Sequence, residues 1–103
     1  MSNVRLATGQ LFGRYYTMLM SGTPVLEGPS SKKQLMDLIG VALEGIDTLP
    51  IDKLNRWLGF IQATVVFNGL TTVQKERDFS RPLFHAAYEA DGIAIPETVD
   101  IVQ

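Results

Sequence analysis

Between Lys75 and Tyr88 the chain gathers its densest set of groups able to hold an anion: Lys75, Arg77, Ser80, Arg81, His85 and Tyr88. A guanidinium presents paired N–H donors that match the oxygens of phosphate or carboxylate, and the ring of Tyr88 or Phe84 can stack on a nucleobase. Spacing decides whether these groups act together. If a helix continues across Pro82, Arg77, Arg81 and His85 fall four residues apart on one face; if it restarts at Ser80, free backbone N–H groups point to the same place. The alternative is plainer: Arg77 and Arg81 pair with Glu76, Asp78 or an acidic tail in solvent, and His85 fills a satisfied core position.

A second constellation is Asn55, Arg56 and Trp57, where an indole beside a guanidinium and an amide can hold a planar ligand. Trp57 also reads as core. Tyr15 and Tyr16 offer either an aromatic wall or interface packing. Catalytic arrangements are harder to assemble from this composition. There is no cysteine, and His85 is the one histidine, which removes thiolate chemistry, disulfides and multi-histidine metal sites. No Gly-rich phosphate loop of nucleotide-hydrolase spacing occurs, nothing around Ser80 resembles a strained nucleophile turn, and Glu44 and Asp47 read as ordinary helix-end charges. The expectation is a binding protein, not an enzyme, with no cofactor and no metal.

Helices must position these groups, and the pattern predicts an all-α fold. At 103 residues the chain fits one structural domain. Within it, residues 1–30 read as an N-terminal segment and linker, 31–92 as a helical core, and 93–103 as a tail. Residues 1–22 carry Val4, Ala7, Leu11, Tyr15, Met18 and Leu19 at helical spacing, but Gly9 and Gly13 weaken the pattern, leaving a short helix near Gln10–Met20. The run from Ser21 to Ser30, with Gly22, Pro24, Gly28 and Pro29, reads as a linker that lets this segment dock separately.

The next helix opens at Ser31 with Gln34 in a capping box, and Leu35, Leu38, Ile39, Ala42, Leu43 and Ile46 form its apolar stripe. Asp47-Thr48-Leu49-Pro50 stops it and starts another, because proline suits a first helical turn. So short a connection predicts an antiparallel helical hairpin. Ile51, Leu54, Leu58, Ile61 and Val65 face the core of this second helix, which closes at Asn68-Gly69. Thr71 with Gln74 repeats the capping-box spacing and opens a C-terminal helix, with a kink or restart expected at Ser80-Arg81-Pro82 and a stop at Gly92. After Pro96 the alternation of apolar and polar residues suits an extended tail.

The helix after Pro50 is apolar on more than its core side. From Trp57 to Phe67 only Gln62 and Thr64 are polar, so Phe60 and Phe67 remain to be covered, and an interface in a homo-oligomer would do this. Hydrophobic residues make up 46% of the chain and charged residues only 19%, which fits such a surface. The net charge of -2 argues against general nucleic-acid binding. Charge is uneven, with Arg5, Arg14, Lys32 and Lys33 early and Glu89, Asp91, Glu97 and Asp100 late. The longest charge-free stretch, Trp57 to Gln74, is interrupted by polar residues and glycine, so no membrane span is expected. The N-terminus lacks signal-peptide order, which makes the cytoplasm the expected setting.

The stretch NRWLGFIQATVVFNGLTTVQKERDFSRPLFHAAYE, Asn55 to Glu89, resembles small uncharacterised accessory proteins of tailed bacteriophages. The resemblance covers about a third of the chain and carries no residue role. It implies a host-cell cytoplasmic accessory protein, either an oligomeric sponge that sequesters a nucleotide immune signal in counter-defence, or a module that binds a host or phage protein.

Overall fold

The computed structural model describes residues 1–21, 26 and 31–94. Four helices make up these residues: α1 (Asn3–Met20), α2 (Lys32–Glu44), α3 (Ile51–Phe67) and α4 (Val73–Ala90). The linker expected within 21–30 falls mostly outside the described residues, as does the tail expected after Pro96.

The largest departure from expectation is α1. It is a full helix beginning at Asn3, and its Ala7, Leu11, Phe12, Tyr15 and Leu19 are buried. Leu11, Phe12, Tyr15 and Leu19 form one core with Leu35, Ile39, Ala42, Leu54, Leu58, Ile61 and Val65. The boundary expected at residue 31 therefore does not separate core from periphery. Extensive packing joins α1 to each of the other helices, whereas α2 and α3 touch over a short stretch. α1, and not the expected α2–α3 hairpin, is the element around which the fold is built. Gly9, which weakened the sequence signal, sits where an added Cβ would meet Ile46 Cγ1 at 3.6 Å, an ordinary packing distance.

Polar anchors fix the N-terminal end of α1. The Ser2 hydroxyl accepts from Arg5 N, while the Asp91 carboxylate accepts from Asn3 N, Asn3 Nδ2 and Val4 N, each at 2.9 Å. The exposed donors of the first turn are thus satisfied by the residue that closes α4. These hydrogen bonds from Asn3 and Val4 hold the Asp91 carboxyl below its ordinary range. A negative charge at the end of α4 opposes that helix's own dipole, but it faces the positive end of α1. Arg5 reaches the other way: its Nη1 donates to Ile46 O at 2.8 Å and Leu49 O at 2.7 Å, clasping the α2–α3 turn.

Several local expectations hold. Ser31 and Gln34 form the capping box of α2, and Pro50 stands at the start of α3. Gly69 and Gly92 adopt φ of +74° and +69° after α3 and α4. Gly45 is needed for a different reason, since a Cβ there would lie 2.5 Å from Leu49 Cδ1, which folds back over the turn. One expectation does not hold: α4 is capped by Thr72, which accepts from Lys75 N, and not by Thr71. Of the two alternatives at Pro82 the restart is excluded, because α4 is helical from Val73 to Ala90.

Arg5→Met keeps the aliphatic stem and removes two charge-assisted hydrogen bonds to turn carbonyls. Urea denaturation is expected to show a loss of about 1.5–3 kcal/mol, with an unchanged far-ultraviolet helix signal in buffer.

Candidate functional site

An uninterrupted α4 sets the geometry of the anion-binding candidates. With the helix continuous through Pro82, Arg77, Arg81 and His85 share one face, and Tyr88 follows one turn later. The two arginines border an open groove of about 410 Å³ with Gln74, Asp78 and Pro82. Asp78 is engaged by Gln74, whose Nε2 donates to its Oδ1 at 2.7 Å. Among the described residues, no ion pair includes Arg77 or Arg81.

The other candidates of this set are spread around the helix. Lys75 is exposed and does not border the groove, and half-buried Ser80 falls on the side that carries Glu76, Leu83 and Ala87. Half-buried His85 also lies outside the groove lining. Tyr88 lines a different cleft of about 580 Å³, together with Arg5, Asn55 and Asp91. Its ring stands 6.3 Å from that of Phe84.

Asn55, Arg56 and Trp57 do not converge. Asn55 borders the Tyr88 cleft, Arg56 lies 3.8 Å from Asp52 on the solvent side of α3, and Trp57 packs against the core with Lys53 Nζ 5.7 Å from its ring. Consecutive helical residues point about 100° apart, so three in a row cannot line one flat ligand site. The tyrosines diverge for the same reason. Tyr16 is at the surface, but Tyr15 is only 1% exposed and belongs to the core, so it is not a surface residue available to a partner. Phe60 and Phe67 are 39% and 71% exposed, as the excess apolar character of α3 predicts.

What the sequence did not disclose is a buried carboxylate. The Glu76 side chain is 0% exposed and forms a bidentate pair with Arg14, Nε to Oε1 at 3.0 Å and Nη2 to Oε2 at 3.1 Å. Thr71 Oγ1 donates to Oε2 at 2.6 Å, and the Tyr15 phenol stands beside the carboxylate. On its other side Arg14 lies 4.1 Å from the ring centre of Phe79. Burial pushes the Glu76 carboxyl up, but hydrogen bonds from Arg14 and Thr71 and the neighbouring Tyr15 phenol outweigh it, and the net shift is downward. Burial, and then proximity to that carboxylate, raises the Tyr15 phenol. The hydrogen bond to Glu76 raises Arg14. An arginine set among the apolar residues of the first helix was the one available signal, because a buried guanidinium demands a carboxylate.

No three His, Asp or Glu side chains converge on a metal-sized site among the described residues, and no described helix is long and apolar enough to cross a membrane. Comparison with protein-family models, curated proteins and solved structures gave no match.

The lowered Glu76 and Asp91 carboxyls stabilise the fold above the ordinary carboxylate range, and this contribution is lost as pH falls through their folded values. Thermal melting should therefore weaken steadily below about pH 4.5, and Glu76→Gln should flatten part of that slope. Arg14→Met leaves a buried charge unpaired and is expected to cost about 3 kcal/mol at neutral pH by urea titration.

Proposed function

We propose that this chain is a non-enzymatic accessory binding protein that captures a phosphate-bearing ligand on the Arg77–Arg81 face of α4. The observation that carries this reading is where the nearby carboxylates go. Glu76 is turned inward onto Arg14, and Asp78 is held by Gln74, so two guanidinia one helical turn apart stand with no described carboxylate paired to either. Forked donors in that arrangement favour the oxygens of a phosphate, and His85 one turn further on adds a third polar group on the same face. The resemblance of Asn55 to Glu89 to phage accessory proteins makes a nucleotide immune signal the class of ligand we favour. In this reading the protein is a cytoplasmic counter-defence sponge that binds without turnover and works as a homo-oligomer, in which a second copy closes the open groove.

A second reading is favoured by the exposure of Phe60 and Phe67. Large apolar side chains on a solvent-facing helix mark a protein contact, and such a contact could inhibit a host or phage protein.

Isothermal titration with a panel of mononucleotides and cyclic dinucleotides tests the first reading. The expected result is salt-sensitive binding that Arg77→Ala and Arg81→Ala each weaken by roughly 10-fold or more, the loss of one charge-assisted contact. Absence of binding across the panel, or an Arg81→Ala affinity equal to that of the unaltered chain, would rule it out. For the second reading, a Phe67→Asp variant that melts normally should no longer retain a foreign protein captured by the unaltered chain.

A further inference from the structure

Gly59 lies in the middle of α3, where glycine weakens a helix relative to almost any other residue. Nothing among the described residues calls for it. Its φ is not positive, and an added Cβ would meet no atom within 4 Å. It stands on the exposed side of α3 beside Phe60, Ala63 and Phe67, also exposed, and half-buried Val66. At about 100° per residue, Gly59 and Val66 flank one side of a line through Ala63, while Phe60 and Phe67 flank the other. The spacings Phe60–Ala63–Phe67 and Gly59–Ala63–Val66 are the alternating threes and fours of a helix-pairing seam.

The geometry points to a second copy of this chain as the occupant of that face, with the two α3 helices antiparallel and the two-fold axis passing beside Ala63. In such a pair Phe60 packs on the partner's Phe67 and Phe67 on the partner's Phe60. Gly59 lies level with the partner's Val66, and the small residues at 59 and 63 let the backbones approach. Charge agrees with self-pairing. The seam from Gly59 to Phe67 has no charged side chain, and Asp52 and Arg56 at its edge already neutralise each other at 3.8 Å. A copy therefore meets no unmatched charge. Size sets the strength. At roughly 200 Å² per phenylalanine, the exposed parts of Phe60 and Phe67 come to roughly 200 Å² per chain. The symmetric pair then buries several hundred Å², below the ~1,200 Å² of stable interfaces, so association is weak and concentration-dependent.

This pairing lies on α3, apart from the α4 groove of the proposed reading, and does not share its test. Ligand titration with a monomeric variant reports on α4 whatever happens at α3. The decisive variant is Gly59→Gln, because a longer side chain enters open space in the single chain but blocks the seam. Sedimentation equilibrium on the unaltered chain up to roughly 1 mM should show reversible dimerisation, as befits so small an interface. Gly59→Gln should remain monomeric over the same range while melting at a higher temperature. In a chain with no native cysteine, Ala63→Cys should form a disulfide-linked dimer on mild oxidation, and adding Gly59→Gln should abolish it. An unaltered chain that stays monomeric throughout, whether or not α3 captures a foreign protein, overturns the proposal. So does a Gly59→Gln chain that dimerises as well as the original, or an Ala63→Cys chain that does not cross-link.

Discussion

A carboxylate with no access to water has to be met by positive charge and hydrogen-bond donors, and in this chain that requirement at Glu76 determines how the first and last helices join. Arg14 supplies a fork, Thr71 a short hydroxyl bond and Tyr15 a phenol, drawing donors from α1 and from the segment just before α4. Apolar packing alone tolerates some sliding of one helix along another, whereas a bidentate ion pair permits little. Removal of either partner leaves the other stranded, which is why such a pair constrains register even where its net contribution to stability is modest. The placement of the Arg77–Arg81 face follows from it. With Glu76 committed inward, Arg77 and Arg81 fall on the flank of α4 and are left without it as a partner.

Where the sequence pattern was local, it was legible. Ser31 with Gln34, Pro50, and Asn68-Gly69 each specify a helix boundary through one backbone hydrogen bond or one dihedral; α2 begins and α3 begins and ends there, but α2 stops at Glu44, short of the expected Asp47–Pro50. The threonine pair before α4 was ambiguous by a single residue. Thr71 and Thr72 can both cap, and Thr71 is taken by Glu76, which leaves the cap to Thr72. α1 was hidden by Gly9 and Gly13, since helix propensity counts against glycine and takes no account of what the neighbouring helix needs. The four-residue spacing of Arg77, Arg81 and His85 carried the α4 face correctly. The run Asn55-Arg56-Trp57 was misleading because adjacency in sequence is divergence on a helix. Long-range partners such as Arg14 with Glu76, or Asn3 with Asp91, leave no periodic trace in one sequence.

The Arg77–Arg81 surface stands on α4 and the exposed Phe60 and Phe67 on α3, and each helix is anchored to α1. α1 commits its large side chains Phe12, Tyr15 and Leu19 to the core. The division lets one face change by substitution without repacking the other, since residues far apart with no shared partner act almost independently.

The polar anchors of α1 lie 62 residues downstream at Glu76 and 88 downstream at Asp91. During synthesis, α1 must therefore wait for α4 before Arg14 and the amide groups of Asn3 and Val4 find their acceptors. Until then its greasy side is open to water and to other nascent chains. Closure of so long a loop precedes any reward from these contacts, so this core is completed by α4 and its folding is expected to be all-or-none rather than stepwise from α1.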